Sequence, residues 1–225
     1  MARVAVLISG GKDSALALYR ILQQKYSVES LVAMIPQRDD SWMFHYPNIR
    51  LTTLFAKATG IRLAKAETSG IKEQETEDLK NLLKTLDVDG IVAGVIASQY
   101  QKQRLQELSE ELGLKLLTPL WMENQTDLLR ELVASGFETI ITGVYAQGFD
   151  EKWLGRSIDI SAICDLIELN RKYQISPVGE GGEYETLVLN APFFERKIEL
   201  VETEKIWEGQ SGWLLIRKAR LAKRT

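Results

Sequence analysis

Ser9-Gly10-Gly11-Lys12-Asp13-Ser14 follows the apolar run of residues 4–8 and precedes a helical pattern, and this stretch decides the fold. Its two glycines allow a tight turn with positive φ and let the backbone approach a ligand closely. The first N–H groups of the following helix have no partner within it, and the helix dipole adds partial positive charge there. The stretch therefore predicts a phosphate-binding turn, with its lysine and serine side chains as additional donors. An ordinary strand-to-helix turn is the alternative.

Short apolar strands alternate with amphipathic helices through the first half of the chain. Strands are predicted at residues 4–8, 28–35, 61–68, 90–94 and 114–117. The alternation predicts an α/β fold, a doubly wound five-stranded parallel sheet with helices on both faces. Ligands of such sheets bind beyond the carboxyl ends of the strands, where the strand order reverses.

The strand order also places a nucleotide. The first turn, the loop after Ile35 and the loop after Gly94 should open on one crevice that suits ATP. We expect the phosphates at residues 10–14, the adenine against the backbone of Met34 or Ile35, and the ribose or phosphates near Gly94.

The pattern changes near Asn124, which predicts a domain at residues 1–123 and a smaller mixed α/β domain at residues 124–225. The second domain carries Gly179-Glu180-Gly181-Gly182-Glu183-Tyr184-Glu185-Thr186. This stretch is either an acidic surface turn or a pocket that presents three carboxylates and a tyrosine to an ammonium group. The chemistry of the residues alone leaves both interpretations open.

Composition narrows the class of protein. The chain has 225 residues, of which 45% are hydrophobic and 26% charged, with a net charge of −3. These values predict a soluble protein and argue against nucleic acid as the main partner. No apolar run is long enough to cross a membrane and no signal peptide is expected, so we expect a cytoplasmic protein. A homodimer is expected only because such dimers are common.

Other single features have plain interpretations. The one cysteine, Cys164, excludes an internal disulfide and is expected in a helical core, and the one histidine, His45, excludes a His-rich metal site. The basic end, residues 217–224, is expected to be a solvated terminus.

Two resemblances sharpen this picture. SGGKDS resembles the PP-loop of the N-type ATP pyrophosphatases, which cleave ATP between its α- and β-phosphates. The stretch GEGGEYET is similar to the diphthine–ammonia ligase, or diphthamide synthetase, family in its short archaeal form. GVIASQYQKQR at residues 94–104, LTPLWMENQTDLL at residues 117–129 and the Leu154-Gly155-Arg156 turn share this resemblance.

The resemblance implies an amide ligase. ATP and Mg²⁺ would activate the carboxylate of diphthine, a modified histidine of elongation factor 2, as an acyl-adenylate. Ammonium would then supply the nitrogen, with release of AMP. An acidic, aromatic pocket suits the trimethylammonium group that diphthine carries beside its carboxylate.

The resemblance also assigns roles to residues. Ser9, Gly10, Gly11, Lys12, Asp13 and Ser14 would bind ATP; Lys12 and Asp13 are the candidate catalytic residues, and Asp13 is the candidate Mg²⁺ ligand. The candidates for substrate binding are His45, Ser98, Tyr100, Arg104, Trp121, Gly155, Glu180, Gly181, Gly182, Glu183, Tyr184, Glu185 and Thr186. Among these, Arg104 could equally be a surface arginine, and Trp121 a core residue.

Two other functions stay open. A PP-loop enzyme could adenylate another substrate, such as a tRNA base, although the acidic charge and the lack of paired cysteines count against tRNA. A module that senses ATP or AMP without turnover would be expected to have a degenerate first turn, whereas Lys12, Asp13 and Ser14 are intact.

Overall fold

β1 (Arg3–Leu7) lies at the centre of a five-stranded sheet, because its apolar residues are covered on both faces. The computed structural model describes residues 1–36, 51–69 and 72–224 of the chain. These residues form two compact units, Met1–Trp121 and Met122–Thr225.

The sheet of the first unit is entirely parallel, with strand order β3-β2-β1-β4-β5. Its other strands are β2 (Ser27–Pro36), β3 (Leu63–Thr68), β4 (Gly90–Val92) and β5 (Lys115–Leu117). Its helices are α1 (Lys12–Gln23), α2 (Thr52–Thr59), α3 (Lys72–Leu83) and α4 (Gln99–Glu111). The predicted doubly wound five-stranded sheet is confirmed.

The order of the strands determines where the helices lie. From β1 the chain moves outward to β3, and then returns past β1 to β4 and β5. Because parallel crossovers are right-handed, α1 and α2 cover one face of the sheet, and α3 and α4 cover the other. The order reverses between β1 and β4, so the crevice of this sheet opens between the loops that follow these two strands.

The core under α3 and α4 forms one cluster of buried side chains. The strands contribute Ala5, Val32, Met34 and Ile91, among others, and the helices contribute Leu79, Leu83, Leu105 and Leu108. Their spacing on the helices, three or four residues apart, is the pattern from which the helices were predicted.

The second unit contains a four-stranded antiparallel sheet with order β7-β6-β9-β8. Its elements are α5 (Gln125–Ala134), β6 (Glu138–Val144), α6 (Ile160–Tyr173), β7 (Tyr184–Asn190), β8 (Arg196–Glu208) and β9 (Ser211–Lys223), with a 3₁₀ turn at Glu151–Trp153. Among the described residues, no helix is both long and apolar enough to span a membrane.

The structure refines one expectation for the second unit and contradicts another. The basic side chains at the end of the chain are exposed, as expected, but they stand on β9, where Arg217 and Arg220 pair with Glu204 and Glu199 of β8. Cross-strand ion pairs of this kind leave no apolar pattern in the sequence. Cys164 is exposed, because Ala162, Ile163 and Leu166 form the buried side of α6.

Replacing Leu79 with alanine tests the core under α3. The Leu79 side chain is 1% exposed, so we expect the cavity to lower the free energy of unfolding by about 2–5 kcal/mol. Urea unfolding followed by circular dichroism measures the change. Leu82→Ala, at a partly buried neighbour on the same helix, is the control and should cost clearly less. Equal losses in both variants would contradict the packing described here.

Candidate active site

The turn between β1 and α1 is shaped by its own serines. Gly10 has a φ of 87°, and Gly11 is the N-cap of α1. The Ser9 hydroxyl accepts the Gly11 N–H at 3.3 Å. The Ser14 hydroxyl donates to the Gly11 carbonyl at 3.1 Å and accepts the Ser9 N–H at 3.3 Å. Both hydroxyls thus hold the turn in shape, and their predicted contact with phosphate stays a prediction.

Lys12 and Asp13 form an ion pair at the start of α1. The Lys12 residue is only 4% exposed, and its Nζ lies 2.9 Å from Asp13 Oδ2. A buried ammonium group requires an anionic partner, and here that partner is a carboxylate whose side chain is 33% exposed. The N-terminus of α1 adds partial positive charge beside this ion pair, which suits an oxyanion.

Gly94 brings the loop after β4 against this turn. A Cβ at position 94 would lie 2.6 Å from the carbonyl carbon and oxygen of Asp13, and 2.7 Å from the Ser14 nitrogen. Only a residue without a side chain allows the two backbones to approach so closely. The loops that follow β1 and β4 therefore meet at the point where the strand order reverses.

The end of β2 presents backbone groups to the same crevice. β2 pairs with β1 only as far as Val32, whose carbonyl accepts the Ile8 N–H at 2.8 Å, but it continues beside β3 to Pro36. Alternate residues of a strand direct their N–H and C=O groups to opposite neighbours, so Met34 directs its own toward the β1 side, past the end of that strand. Ile35 faces β3 instead. The Met34 side chain is 1% exposed and belongs to the core, so only its backbone is available as the predicted adenine contact.

The predicted substrate residues of α4 divide into two kinds. Ser98 is the N-cap of this helix and accepts the Gln101 N–H at 3.3 Å, so its hydroxyl has a structural task. Arg104 Nε donates to Thr76 Oγ1 of α3 at 3.1 Å, and its guanidinium also contacts the Tyr100 hydroxyl. Tyr100 and Arg104 line an open groove of about 520 Å³ between α3 and α4.

Trp121 and His45 complete the predictions that concern the first unit. Trp121 packs partly buried against the core under α3 and α4, with Lys102 Nζ 3.9 Å from its ring centroid. It therefore serves the core, which was the alternative interpretation. His45 lies outside the described residues.

In the second unit, Glu183 binds its own loop. Its Oε1 accepts the Ser176 N–H at 2.7 Å, and its Oε2 accepts the Gly181 N–H at 2.8 Å. Gly182 has a φ of 82° and donates to the Gly179 carbonyl at 3.0 Å. The carboxylate of Glu183 thus orders the glycine-rich turn, a role that the sequence did not reveal.

Tyr184 does not line a cation pocket as predicted. It is 4% exposed, its hydroxyl donates to the Pro177 carbonyl at 2.7 Å, and its ring lies 5.9 Å from that of Phe149. The reason is that β7 begins at Tyr184, and successive side chains of a strand point to opposite faces. Tyr184 faces the core, whereas Glu185 faces the other side of the sheet.

On that other side, Glu185 meets a residue that sequence reasoning missed, Tyr145. Glu185 lies opposite Gly143 of β6, and a Cβ at Gly143 would lie 2.5 Å from the Tyr145 hydroxyl oxygen. Burial, the charge of Glu185 and the hydrogen bond to Glu185 together raise the pKa of Tyr145 above its usual value. The phenol therefore stays protonated at neutral pH.

The remaining predicted residues of the second unit are Glu180, Thr186 and Gly155. Glu180 donates its N–H to the Ser176 hydroxyl at 3.1 Å, and Thr186 of β7 lies opposite Ile141 of β6. Gly155 has a φ of 82°, donates to the Ile141 carbonyl at 2.8 Å, and lines an open cavity of about 600 Å³ with Leu214.

Comparison with known proteins identifies the family. The model of the diphthamide synthase N-terminal domain matches residues 2–116, and that of the diphthamide synthase C-terminal domain matches residues 124–222. The chain belongs to the diphthamide synthase family. This confirms the family and the class of enzyme that the sequence motifs indicated.

Its relatives in this family include the mouse and human proteins named diphthine–ammonia ligase. The mouse protein is 33% identical, with 98% of this chain and 91% of that protein covered; the human protein is 35% identical, with 91% and 85% covered. The fission yeast protein of the same name is 35% identical over 93% of this chain, which spans 38% of that longer protein. Short members of the diphthamide synthase family are therefore not confined to archaea.

A solved structure was also found. It is described as a predicted subunit of tRNA methyltransferase from Methanocaldococcus jannaschii, and it is 17% identical with a TM-score of 0.45, covering 85% of this chain and 98% of that one. That similarity is too loose to transfer a function.

In this diphthamide synthase family member, Gly94→Ala tests the contact between the two loops. The added methyl group must displace backbone, and overpacking of this kind costs about 1–3 kcal/mol. We expect the affinity for ATP, measured by calorimetry, to fall about tenfold or more.

Gly113→Ala is the matched control for Gly94→Ala. Gly113 has a φ of 67° and no atom within 4 Å of its Cβ position, so alanine costs about 1–2 kcal/mol of stability but should leave ATP binding unchanged. Unchanged ATP affinity in Gly94→Ala would show that nucleotide binding does not depend on the contact between the two loops.

Glu183→Ala tests the ordering of the glycine-rich turn. Hydrogen bonds to a charged group contribute about 1.5–3 kcal/mol each, so we expect the amide hydrogens of Ser176 and Gly181 to exchange at least about tenfold faster. Hydrogen exchange with mass spectrometry measures the change. Glu195→Ala, at an exposed carboxylate after β7, is the control and should leave the turn protected. Equal protection in both variants would overturn this role for Glu183.

Proposed function

We propose that the protein catalyses the ATP-dependent amidation of diphthine on elongation factor 2. The products would be diphthamide, AMP and pyrophosphate, with ammonium as the nitrogen donor. The observation that carries this proposal is the match of both parts of the chain to the two domains of diphthamide synthase, with relatives named diphthine–ammonia ligase.

The first unit supports the binding of ATP. The N–H groups at the start of α1 and the buried Lys12 would hold phosphate oxygens, and the oxyanion would take the place of Asp13 as the partner of Lys12. The N–H and C=O groups of Met34 would contact the adenine, since they face the crevice beyond β1. Gly94 would keep the loop after β4 in contact with this turn, next to the predicted place of the ribose and phosphates.

The chemistry follows in two steps. A carboxylate oxygen of diphthine attacks the α-phosphorus of ATP, the bond from that phosphorus to the bridging oxygen breaks, and pyrophosphate leaves. Ammonia, formed when ammonium gives up a proton, then attacks the acyl carbon, and the bond to AMP breaks. Lys12 and the helix N-terminus would stabilise the negative charge that develops on the leaving pyrophosphate.

Asp13 is a suitable ligand for Mg²⁺. Mg²⁺ commonly binds one or two carboxylates together with substrate phosphates and water, and Asp13 is a partly exposed carboxylate in the phosphate-binding turn. Bound there, Mg²⁺ would neutralise phosphate charge.

A single-turnover assay tests the proposal. The enzyme is mixed with ATP labelled in its α-phosphate, Mg²⁺ and ammonium, with and without elongation factor 2 bearing diphthine. We expect AMP in equal amount to the factor consumed, and a mass change on the factor that corresponds to NH₂ in place of OH. With oxygen-18 in the diphthine carboxylate, one labelled oxygen should appear in AMP, which is the signature of an acyl-adenylate.

Other outcomes of this assay would reject the proposal. AMP without a change in the factor would indicate another acceptor, and stimulation by tRNA instead of the factor would indicate a tRNA-modifying enzyme. Bound ATP with no AMP under any of these conditions would indicate a sensing module.

Lys12→Met tests the role of the buried ammonium group. We expect the rate of AMP formation to fall about 100- to 1,000-fold, because a preorganised charge at the leaving group is lost. Lys84→Met removes an exposed lysine of the same unit and should leave the rate unchanged. A Lys12→Met enzyme that retains most of its rate would exclude this role for Lys12.

A further inference from the structure

One face of the second sheet carries Tyr145, Glu185 and Trp213, which together form an aromatic and acidic platform. Glu185 of β7 lies opposite Gly143 of β6, which in turn lies opposite Trp213 of β9. Residues directly opposite each other in antiparallel strands share a face, so the side chains of Glu185 and Trp213 stand on either side of a glycine.

Tyr145 fills the gap above that glycine. It lies two residues after Gly143 and therefore on the same face. Its hydroxyl oxygen and two of its ring carbons are 2.5–3.0 Å from the place that a Cβ of Gly143 would occupy. A side chain at position 143 would displace the ring, so the glycine is what allows the phenol to lie against β6 at this point.

The arrangement favours a particular kind of cation. Tyr145 is 42% exposed, and its hydroxyl is hydrogen-bonded to Glu185. A primary ammonium group makes its best contacts by donating N–H groups to a carboxylate, and the phenol competes for this one. A quaternary ammonium group has no N–H to donate; it needs an aromatic face and a nearby negative charge, and both are present.

We propose that Tyr145, supported by Glu185, binds the trimethylammonium group of the substrate and gives the enzyme its preference for the methylated nitrogen. This inference rests on the proposed function, because diphthine supplies the quaternary group. It assigns specificity to a residue outside the glycine-rich turn. Within that turn, Glu183 and Tyr184 are committed to the loop and the core, so Glu185 is the member that faces the platform.

The test compares two forms of elongation factor 2. One carries diphthine, and the other carries the same side chain with a primary amine in place of the trimethylammonium group. The ratio of kcat/KM for the two factors measures recognition of the methyl groups. We expect the wild-type enzyme to favour diphthine, and Tyr145→Ala to lower kcat/KM for diphthine about ten- to thirty-fold while the ratio falls toward one.

Three further variants separate the contribution of the Tyr145 ring from that of the Glu185 charge. Tyr145→Phe keeps the ring and should keep most of the preference, whereas Glu185→Gln removes the charge and should lose part of it. Glu199→Gln removes an exposed carboxylate of β8 and should have no effect. The KM for ATP should stay constant in all of these variants. If Tyr145→Ala lost kcat/KM equally for both factors, or also raised the KM for ATP, Tyr145 would have only a structural role. Either result would overturn the proposal.

A binding measurement separates this inference from the proposed function. Tetramethylammonium chloride is titrated into the wild-type protein, and ring resonances of tyrosine and tryptophan are followed by NMR, with sodium chloride as the salt control. A saturable shift that Tyr145→Ala abolishes supports the cation site even if the wild-type enzyme amidates neither factor. Absence of such a shift overturns the site even if the enzyme amidates diphthine.

Discussion

The approach of the Gly94 backbone to the first turn of α1 is the contact on which the first unit depends. β1 and β4 are adjacent parallel strands, and from them the chain continues toward opposite edges of the sheet. The loops that follow these two strands therefore share the space beyond their carboxyl ends. With a Cβ position 2.6 Å from Asp13 backbone atoms, that space is filled to contact. The N-terminus of α1 is therefore fixed at the switch point of the sheet, where the crevice for a ligand must lie.

The fixed turn also explains how charge is used there. The hydroxyls of Ser9 and Ser14 bond to backbone groups of the turn itself, so the shape of the turn does not depend on a ligand. Lys12 is nearly buried beside Asp13, and a buried charge of this kind is tolerated only with a partner. In the proposed reaction, an arriving oxyanion would exchange one anionic partner of Lys12 for another, which costs less than burying a new charge without compensation.

The sequence predicted the features that depend on local pattern, and it did not reveal the contacts that depend on how strands pair. The turn at residues 9–14 and the five strands follow from glycine positions and apolar periodicity, which neighbours in the chain determine. The alternation in Tyr184-Glu185-Thr186-Leu187 could have shown that Tyr184 and Glu185 face opposite sides. Tyr145 could not have been found in this way, since only the register of β6 against β7 brings it to Glu185.

In the acidic turn of the second unit, the three carboxylates of residues 180–185 do not share one role. Three flexible glycines make the turn costly to order, and the two hydrogen bonds accepted by Glu183 offset that cost. Once the turn is ordered, β7 starts in one register, and that register sends Tyr184 to the core and Glu185 to the platform with Tyr145. The carboxylate of Glu183, which orders the turn, thus determines where the carboxylate of Glu185 is placed. In a stretch that looks uniformly acidic, Glu183 orders the turn, and Glu185 places its charge beside Tyr145.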